Sequence, residues 1–326
     1  VIDVGEPIMS VKNLSIYYFT IAGTVKAVER VSFDIERGDW ITFVGESGSG
    51  KSTVAYGLIN LVPSPGKIVE GEIIFMGKDL LKIPQEELKK LRGKEISMIF
   101  QDPMTSLDPL RKVGDQIVEV MVEHGIDEKE AKERAKKLLR SVNIPEDRLD
   151  YYPHQLSGGQ RQRIIISMAM AFHSKLIIAD EPTTALDVIV QDSIMDLLEE
   201  LREQGTSVFF ITHDISLAVE RSNKIGIMYA GKLVEFGYVD QIVENPLHPY
   251  TSALFQSTPD LWVDKQITSI PGYPPDLRDP PPGCRFHPRC HVFKSKDELT
   301  GKCDVLEPKM IEVEKGHFVA CHLYGD

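Results

Sequence analysis

The sequence predicts an α/β fold organised around one strand–turn–helix unit, and three observations predict it. The short β-branched and aromatic run Ile41 to Val44 reads as a buried strand and leads directly into Gly45-Glu46-Ser47-Gly48-Ser49-Gly50-Lys51-Ser52-Thr53, which fits the phosphate-binding pattern of glycine, four residues, glycine, lysine and serine or threonine. Behind it, Val54, Ala55, Leu58, Ile59 and Val62 recur at helical spacing. Further apolar runs at Gly71 to Phe75, Ile96 to Phe100, Leu176 to Ala179, Ser207 to Ile211 and Ile225 to Tyr229 supply the rest of a sheet.

A glycine-rich turn between a strand and a helix aims backbone N–H groups and the positive helix end at one small volume, which is how a polyphosphate is held. Gly45, Gly48 and Gly50 allow backbone angles that a Cβ would forbid. Lys51 can reach β- and γ-phosphates as a point charge, and the Ser52 hydroxyl can sit on a magnesium ion bridging them.

The chain has 326 residues, room for one large or two ordinary domains. Its 42% hydrophobic and 26% charged content is that of a globular protein. A formal net charge of -12 argues against a nucleic-acid partner, whose phosphates are bound mainly by lysine and arginine. No apolar run approaches the ~18 residues of a membrane span, and the acidic start VIDVGEPIMSV does not resemble a signal peptide. The expectation is a cytoplasmic chain whose membrane role, if it has one, depends on other subunits.

In chain order, Val11, Leu14, Ile16 and Tyr18, then Val31, Phe33 and Ile35, recur at mostly alternate positions and predict a β-rich N-terminal subdomain. From Asp102 the pattern turns helical. Val113, Ile117, Val120 and Met121 share one face, and Ala131, Ala135, Leu138, Leu139 and Val142 another, predicting an inserted helical piece over about 102–163. It closes at Leu156-Ser157-Gly158-Gly159-Gln160, where Ser157 is placed to cap the next helix. Read locally, this stretch fits either an anion site or a plain cap. Asp180 and Glu181 end a continuous apolar strand, the position where α/β sheets place ligands, and suit magnesium binding and action on water. His213 follows the next strand, a place that serves structure as readily as catalysis. A hairpin through Ala230-Gly231 ends the sheet. Residues 246–282 hold nine of the 20 prolines and predict an extended connection.

Taken together, the loop at Gly45 to Thr53, Gln101, Leu156 to Gln160, Leu176 to Pro182, Ala185 to Asp187 and His213 resemble, in order, the motif set of ATP-binding-cassette ATPases. The resemblance covers roughly residues 8–240 and implies a P-loop NTPase core, an ATPase activity, and a head-to-tail dimer with two ATP molecules between subunits. Lys51 and Ser52, with Gly45, Ser47, Gly48, Ser49, Gly50 and Thr53, would then act from one subunit, and Ser157 and Gly159 from the other. It further implies that Asp180 holds magnesium through water and Glu181 is the general base. Gln101 would sense magnesium and the γ-phosphate, His213 contact the γ-phosphate, and Asp187 align the opposite site. Tyr18 takes the position of the aromatic that stacks on adenine, with Phe19 the alternative.

The stretches Gln101 to Pro109, Tyr152 to Gly159, Ala179 to Val188 and Asn245 to Thr251 resemble the ATPase subunits of oligopeptide and dipeptide importers, and the D-type in particular. The implied partners are transmembrane permease subunits, a related F-type ATPase subunit or a second copy, and indirectly an extracytoplasmic peptide-binding protein. The implied location is the cytoplasmic face of the membrane. Gln160 departs from the methionine of many D-type chains. Importers of nickel and other small solutes share these motifs, and a soluble ATPase acting as a metal- or redox-sensing switch is the competing reading.

The expected division is a nucleotide-binding domain over 1–245 and a Pro-rich C-terminal extension over 246–326. All four cysteines, Cys284, Cys290, Cys303 and Cys321, lie in that extension, separated by five, twelve and seventeen residues. Disulfides are disfavoured in a cytoplasmic chain, so the four thiols predict one four-thiolate site. Zinc and a [4Fe–4S] cluster both accept such a set. The spacing lacks the short knuckles of zinc ribbons, and the resemblance to peptide-importer ATPases with this extension points to the cluster as a structural staple.

Overall fold

The computed structural model describes residues 7–101, 106–183, 186–258 and 270–325. Two units divide the chain: Val1–Ile35, Asp39–Leu81 and Ile211–Asp326 make the first, and Glu36–Gly38 with Lys82–Phe210 the second.

In the first unit, β1 (Met9–Thr20) pairs antiparallel with β2 (Gly23–Ile35) and β4 (Gly66–Phe75), and β5 (Lys78–Asp79) extends the sheet in the order β2-β1-β4-β5. The imperfect alternation of β1 has a cause in the backbone. Met9 and Val11 are buried at odd positions, Leu14 and Ile16 at even ones, and a register shift falls between Val11 and Leu14, where Asn13 takes φ 50°. The extra residue resets which face is apolar, so the core side stays continuous.

A second set of strands runs in the order β11-β12-β10-β9-β3: Ile311–Glu314, His317–Val319, Lys232–Tyr238, Lys224–Tyr229 and Trp40–Val44. Strand β3 lies parallel to β9, with Ile41 opposite Lys224 and Val44 opposite Ile227, and all five of its residues are buried. Burial on both faces explains why it reads as an unbroken apolar run. Helix α1 (Lys51–Leu58) begins at Gly50, whose φ is 102°. It stops short of the expected Ile59 and Val62, because Asn60 turns left-handed at φ 50° and Pro63 follows. The C-terminal residues share this unit's core: Phe286 and Cys290 pack in one cluster with Val44, Ile227, Tyr229 and Tyr250.

In the second unit, helix α2 (Gln85–Leu91) precedes β6 (Ile96–Ile99), which runs parallel to β7 (Leu176–Asp180) with β8 (Ser207–Ile211) on the far side of β7. The helical piece contains α3 (Val113–Val122), α4 (Glu128–Ser141) and α5 (Gly158–Ala169). Val113, Ile117 and Met121 of α3 and Ala131, Ala135 and Leu139 of α4 are fully buried, which is the periodic face that the sequence displays. Asp127 caps α4 by accepting the N–H groups of Lys129 and Glu130. Helix α6 (Val188–Glu203) follows β7. The expected start of the helical piece at 102–105, and Thr184 and Ala185 of the acidic motif, lie outside the described residues, as do residues 259–269 of the Pro-rich connection.

Candidate functional site

The glycine-rich loop is shaped by close backbone approach. A Cβ on Gly45 would stand 2.1 Å from the Met228 carbonyl oxygen, and one on Gly50 would stand 2.3 Å from that of Ala27. Both residues also take positive φ, so a side chain at either would meet strain and collision together. Lys51, only 5% exposed, folds its ammonium over the loop and donates to the carbonyl oxygens of Gly45 (2.8 Å) and Glu46 (3.1 Å). Ser49 N–H donates to Glu46 O at 3.2 Å, and Gly231 N–H to Ser49 O at 2.9 Å. Ser52 and Thr53 occupy the first turn of α1, and Ser47 and Gly48 lie within the turn.

Tyr18 sits half-buried on β1 opposite Val25 and Gly66, while Phe19 beside it is exposed with the Lys67 ammonium 6.0 Å from its ring. His213 is exposed, two residues before helix α7 (Ile215–Arg221). Thr212 next to it donates its N–H to Phe43 of β3.

In the second unit, Asp180 ends β7 and is 1% exposed. Glu181 follows at φ 45°, a left-handed conformation that a glutamate adopts at a cost of about 1–2 kcal/mol. That twist turns its carboxylate to Gln101, whose Nε2 donates to Glu181 Oε2 at 2.9 Å across a separation of 80 residues. Ser157 caps α5 through a reciprocal box: its hydroxyl accepts Gln160 N–H at 3.3 Å, and its own N–H donates to Gln160 Oε1 at 3.0 Å. Gln160, the departure noted in the sequence, therefore completes the cap. Gly158 is exposed in that first turn, with no atom within 4 Å of where its Cβ would be, while Gly159 is half-buried beside Val190. Asp187 caps α6, accepting Val190 N–H at 3.0 Å.

The cysteines converge. Cys284, Cys290, Cys303 and Cys321 all line one pocket walled by Phe286, Phe293 and Leu299, and none is in a disulfide. Gly283, at φ 69°, lets the backbones on either side of this pocket close, and Cys284 N–H donates to Cys303 O at 2.8 Å. Burial pushes the Cys284 thiol up to about 12 and Cys321 up to about 11, with the neighbouring thiols adding to both shifts. Among the described residues, however, no three His, Cys, Asp or Glu side chains are placed to hold a single metal ion. Neither the [4Fe–4S] cluster expected for these thiols nor the zinc alternative is supported by that placement.

The pocket is anchored by a buried carboxylate that the sequence did not single out. Glu235 of β10 is 0% exposed, accepts the N–H groups of Leu247 and His248 at 2.8 Å each, and lies 2.8 Å from His317 Nε2 on β12. Also missed was Glu46, whose carboxylate receives two bonds from Arg289. No local pattern could reveal that pair, which is separated by 243 residues. Among the described residues no helix is long and apolar enough to cross a membrane.

A family model described as ABC transporter matches residues 28–184. The solved dimeric structure of the ATP-binding cassette MJ0796, in a post-hydrolysis state bound to ADP and Pi, is similar with a TM-score of 0.65 and 30% identity, covering 71% of this chain and 98% of that one. The loop, the Gln101–Glu181 pair and the capped glycine turn are accordingly parts of an ABC ATPase. A second model, described as Oligopeptide/dipeptide transporter, C-terminal region, matches residues 234–296. The oligopeptide transport ATP-binding protein OppD of Bacillus subtilis is 45% identical over 96% of this chain and 87% of that protein. The dipeptide transport ATP-binding protein DppD of Lactococcus lactis is 46% identical over 96% of this chain and 90% of its own length. The chain belongs to this family of oligopeptide and dipeptide transport ATP-binding proteins.

Proposed function

We propose that the chain is the ATP-hydrolysing motor subunit of a membrane importer of di- and oligopeptides. The observation that carries this reading is end-to-end similarity: the relatives that match over 96% of the chain are named for peptide transport, and the match includes the C-terminal region as well as the cassette. Neither a nickel importer nor a free-standing sensor is favoured by those relatives.

In this reading the loop from Gly45 to Thr53 binds the triphosphate, with Lys51 leaving the loop carbonyls for β- and γ-phosphate oxygens. Tyr18 stacks on adenine. Glu181 is the general base for the attacking water, and the Gln101 amide holds its carboxylate in one orientation. Ser52, Gln101 and Asp180 are oxygen donors of the kind magnesium takes, and the ion supplies charge neutralisation across the phosphates. His213 adds a contact to the γ-phosphate. Ser157 and Gly159 act on the nucleotide of a facing subunit, and Asp187 lends that face its order by capping α6. Phosphoryl transfer depends on such positioning more than on covalent chemistry by the protein.

The partners are transmembrane permease subunits, with an F-type ATPase subunit as the facing cassette or a second copy in its place, and the location is the cytoplasmic face of the membrane. For the cysteine pocket we favour a [4Fe–4S] cluster over zinc. The cysteine spacing lacks the short knuckles of zinc ribbons, and four thiolates are the set that such a cluster takes. When bound, the cluster ties four chain positions together. Iron and sulfide near four per chain would establish it; a colourless protein lacking both would reject it.

The importer reading is tested by co-expressing the chain with its permease subunits and measuring ATP turnover in lipid nanodiscs. Turnover that rises when peptide and binding protein are added is the expected result. Turnover indifferent to peptide, with no permease co-purifying, would overturn it.

A further inference from the structure

Glu46 stands inside the phosphate loop and carries a negative charge, an unfavourable neighbour for a polyphosphate. Its environment answers that problem. Arg289 Nη1 donates to Glu46 Oε2 at 2.7 Å and Nη2 to Oε1 at 3.0 Å, a two-pronged pair that fixes the carboxylate's orientation as well as neutralising it. The guanidinium is itself held: Nε donates to Pro271 O at 2.8 Å, Nη1 reaches the Tyr229 hydroxyl at 3.3 Å, and the side chain is only 6% exposed. Glu46 is in turn the node of the loop. Its N–H donates to the Tyr250 hydroxyl at 3.0 Å, and its carbonyl oxygen accepts from Lys51 Nζ and Ser49 N–H. A shift of Glu46 would therefore move an oxygen that orders the phosphate-binding lysine.

The arginine comes from the C-terminal region, directly before Cys290. Its counterpart after Cys284 also reaches the loop. Arg285 donates to Ala230 O and to Glu29, and the next residue of that turn, Gly231, donates its N–H to Ser49 O. Residues beside two of the cysteines thus hold the loop at two points.

We propose that Arg289 is a positioning residue for ATP, holding the phosphate loop from the C-terminal region through Glu46 and cancelling the charge that Glu46 would otherwise present to the nucleotide. The proposal rests on the loop being the ATP site and is independent of what the cysteines bind.

The test measures MgATP affinity of the full chain with a fluorescent ATP analogue, together with KM and kcat for hydrolysis and the melting temperature without nucleotide. Arg289→Gln should weaken binding about tenfold and raise KM with kcat within about twofold of the parent. The double variant Arg289→Gln/Glu46→Gln should recover affinity to within about threefold, because the unneutralised carboxylate is then gone. Arg289→Lys keeps the charge but loses the fork, and should show a smaller rise in KM if Arg289→Gln does not fold. Unchanged affinity and KM in a folded single variant, or a double variant as weak as Arg289→Gln, would overturn the proposal. Wild-type chain that binds no ATP would instead sink the assignment of the loop.

Discussion

The two glycine-rich turns of this protein are built in opposite ways. The loop from Gly45 to Thr53 is braced from distant parts of its unit: Met228 and Ala27 crowd its glycines, Gly231 and Tyr250 bond its backbone, and Arg289 grips Glu46. The turn at Ser157 to Gln160 relies mainly on itself, with Ser157 and Gln160 closing a box and Gly158 exposed. The difference teaches that the first is a finished cradle, held in shape by the fold, whereas the second is a surface whose order is local, as the proposed function requires of a turn that meets the nucleotide of a facing subunit. That is the division of labour expected of a shared nucleotide site.

The largest expected effect separates chemistry from binding. Glu181→Gln should lower turnover about a thousandfold, the scale of a general base, while ATP affinity stays within about twofold. Equal loss of both would place Glu181 in binding and blur the contrast. Next in size, Gly50→Ala should cost about 3 kcal/mol in urea denaturation and abolish ATP binding, since its Cβ would lie 2.3 Å from Ala27 O at a φ of 102°. A Gly158→Ala change, at an open position, should leave stability nearly unaltered.

How firmly the C-terminal region braces the first loop can be read from pH. His248 caps the start of helix α8 (Pro249–Gln256), which carries Tyr250, and its Nδ1 accepts Tyr250 N–H at 3.0 Å. Burial lowers its pKa to about 4, with Glu235 opposing the shift. The unfolded chain, with an ordinary histidine pKa of ~6.5, takes up a proton that the folded chain refuses. The stability contribution is therefore full above about pH 6.5 and falls by roughly 1.4 kcal/mol per unit down toward about pH 4. Urea midpoints at pH 7 and pH 5 should show this fall, and His248→Gln should flatten it. An equal slope in the variant would assign the effect to other groups. The smallest effect belongs to the second turn. Gln160→Ala removes half of the capping box and should cost about 0.5–1 kcal/mol, leaving ATP affinity unaltered.

What was legible in the sequence was what is local. Strand β3 and the start of α1 could be read because an unbroken apolar run, a glycine pattern and a 3.6-residue repeat adjoin one another. The acidic end of β7 was readable for the same reason. Strands β11 and β12 were not, since Ile311–Glu314 and His317–Val319 are short and partly polar and exist by pairing with β10. The left-handed Glu181 was equally hidden, because nothing in its neighbours demands that angle. The clustering of cysteines could be read, but what they hold depends on tertiary path; they line one pocket, and among the described residues no three metal-ligating side chains are placed for a single ion. The Arg289–Glu46 pair marks the limit: two residues of ordinary type, 243 apart, joined only by the fold.

The contrast between the two turns is tested most directly by Ser157→Arg in the assembled transporter, scored for ATP binding and for hydrolysis in the same preparation. Ser157 lies on the self-capped turn and Lys51 in the braced loop, so the account predicts ATP affinity within about twofold of the parent and turnover reduced at least a hundredfold. Hydrolysis that survives the substitution, or affinity lost together with turnover, would contradict a site completed by a facing subunit.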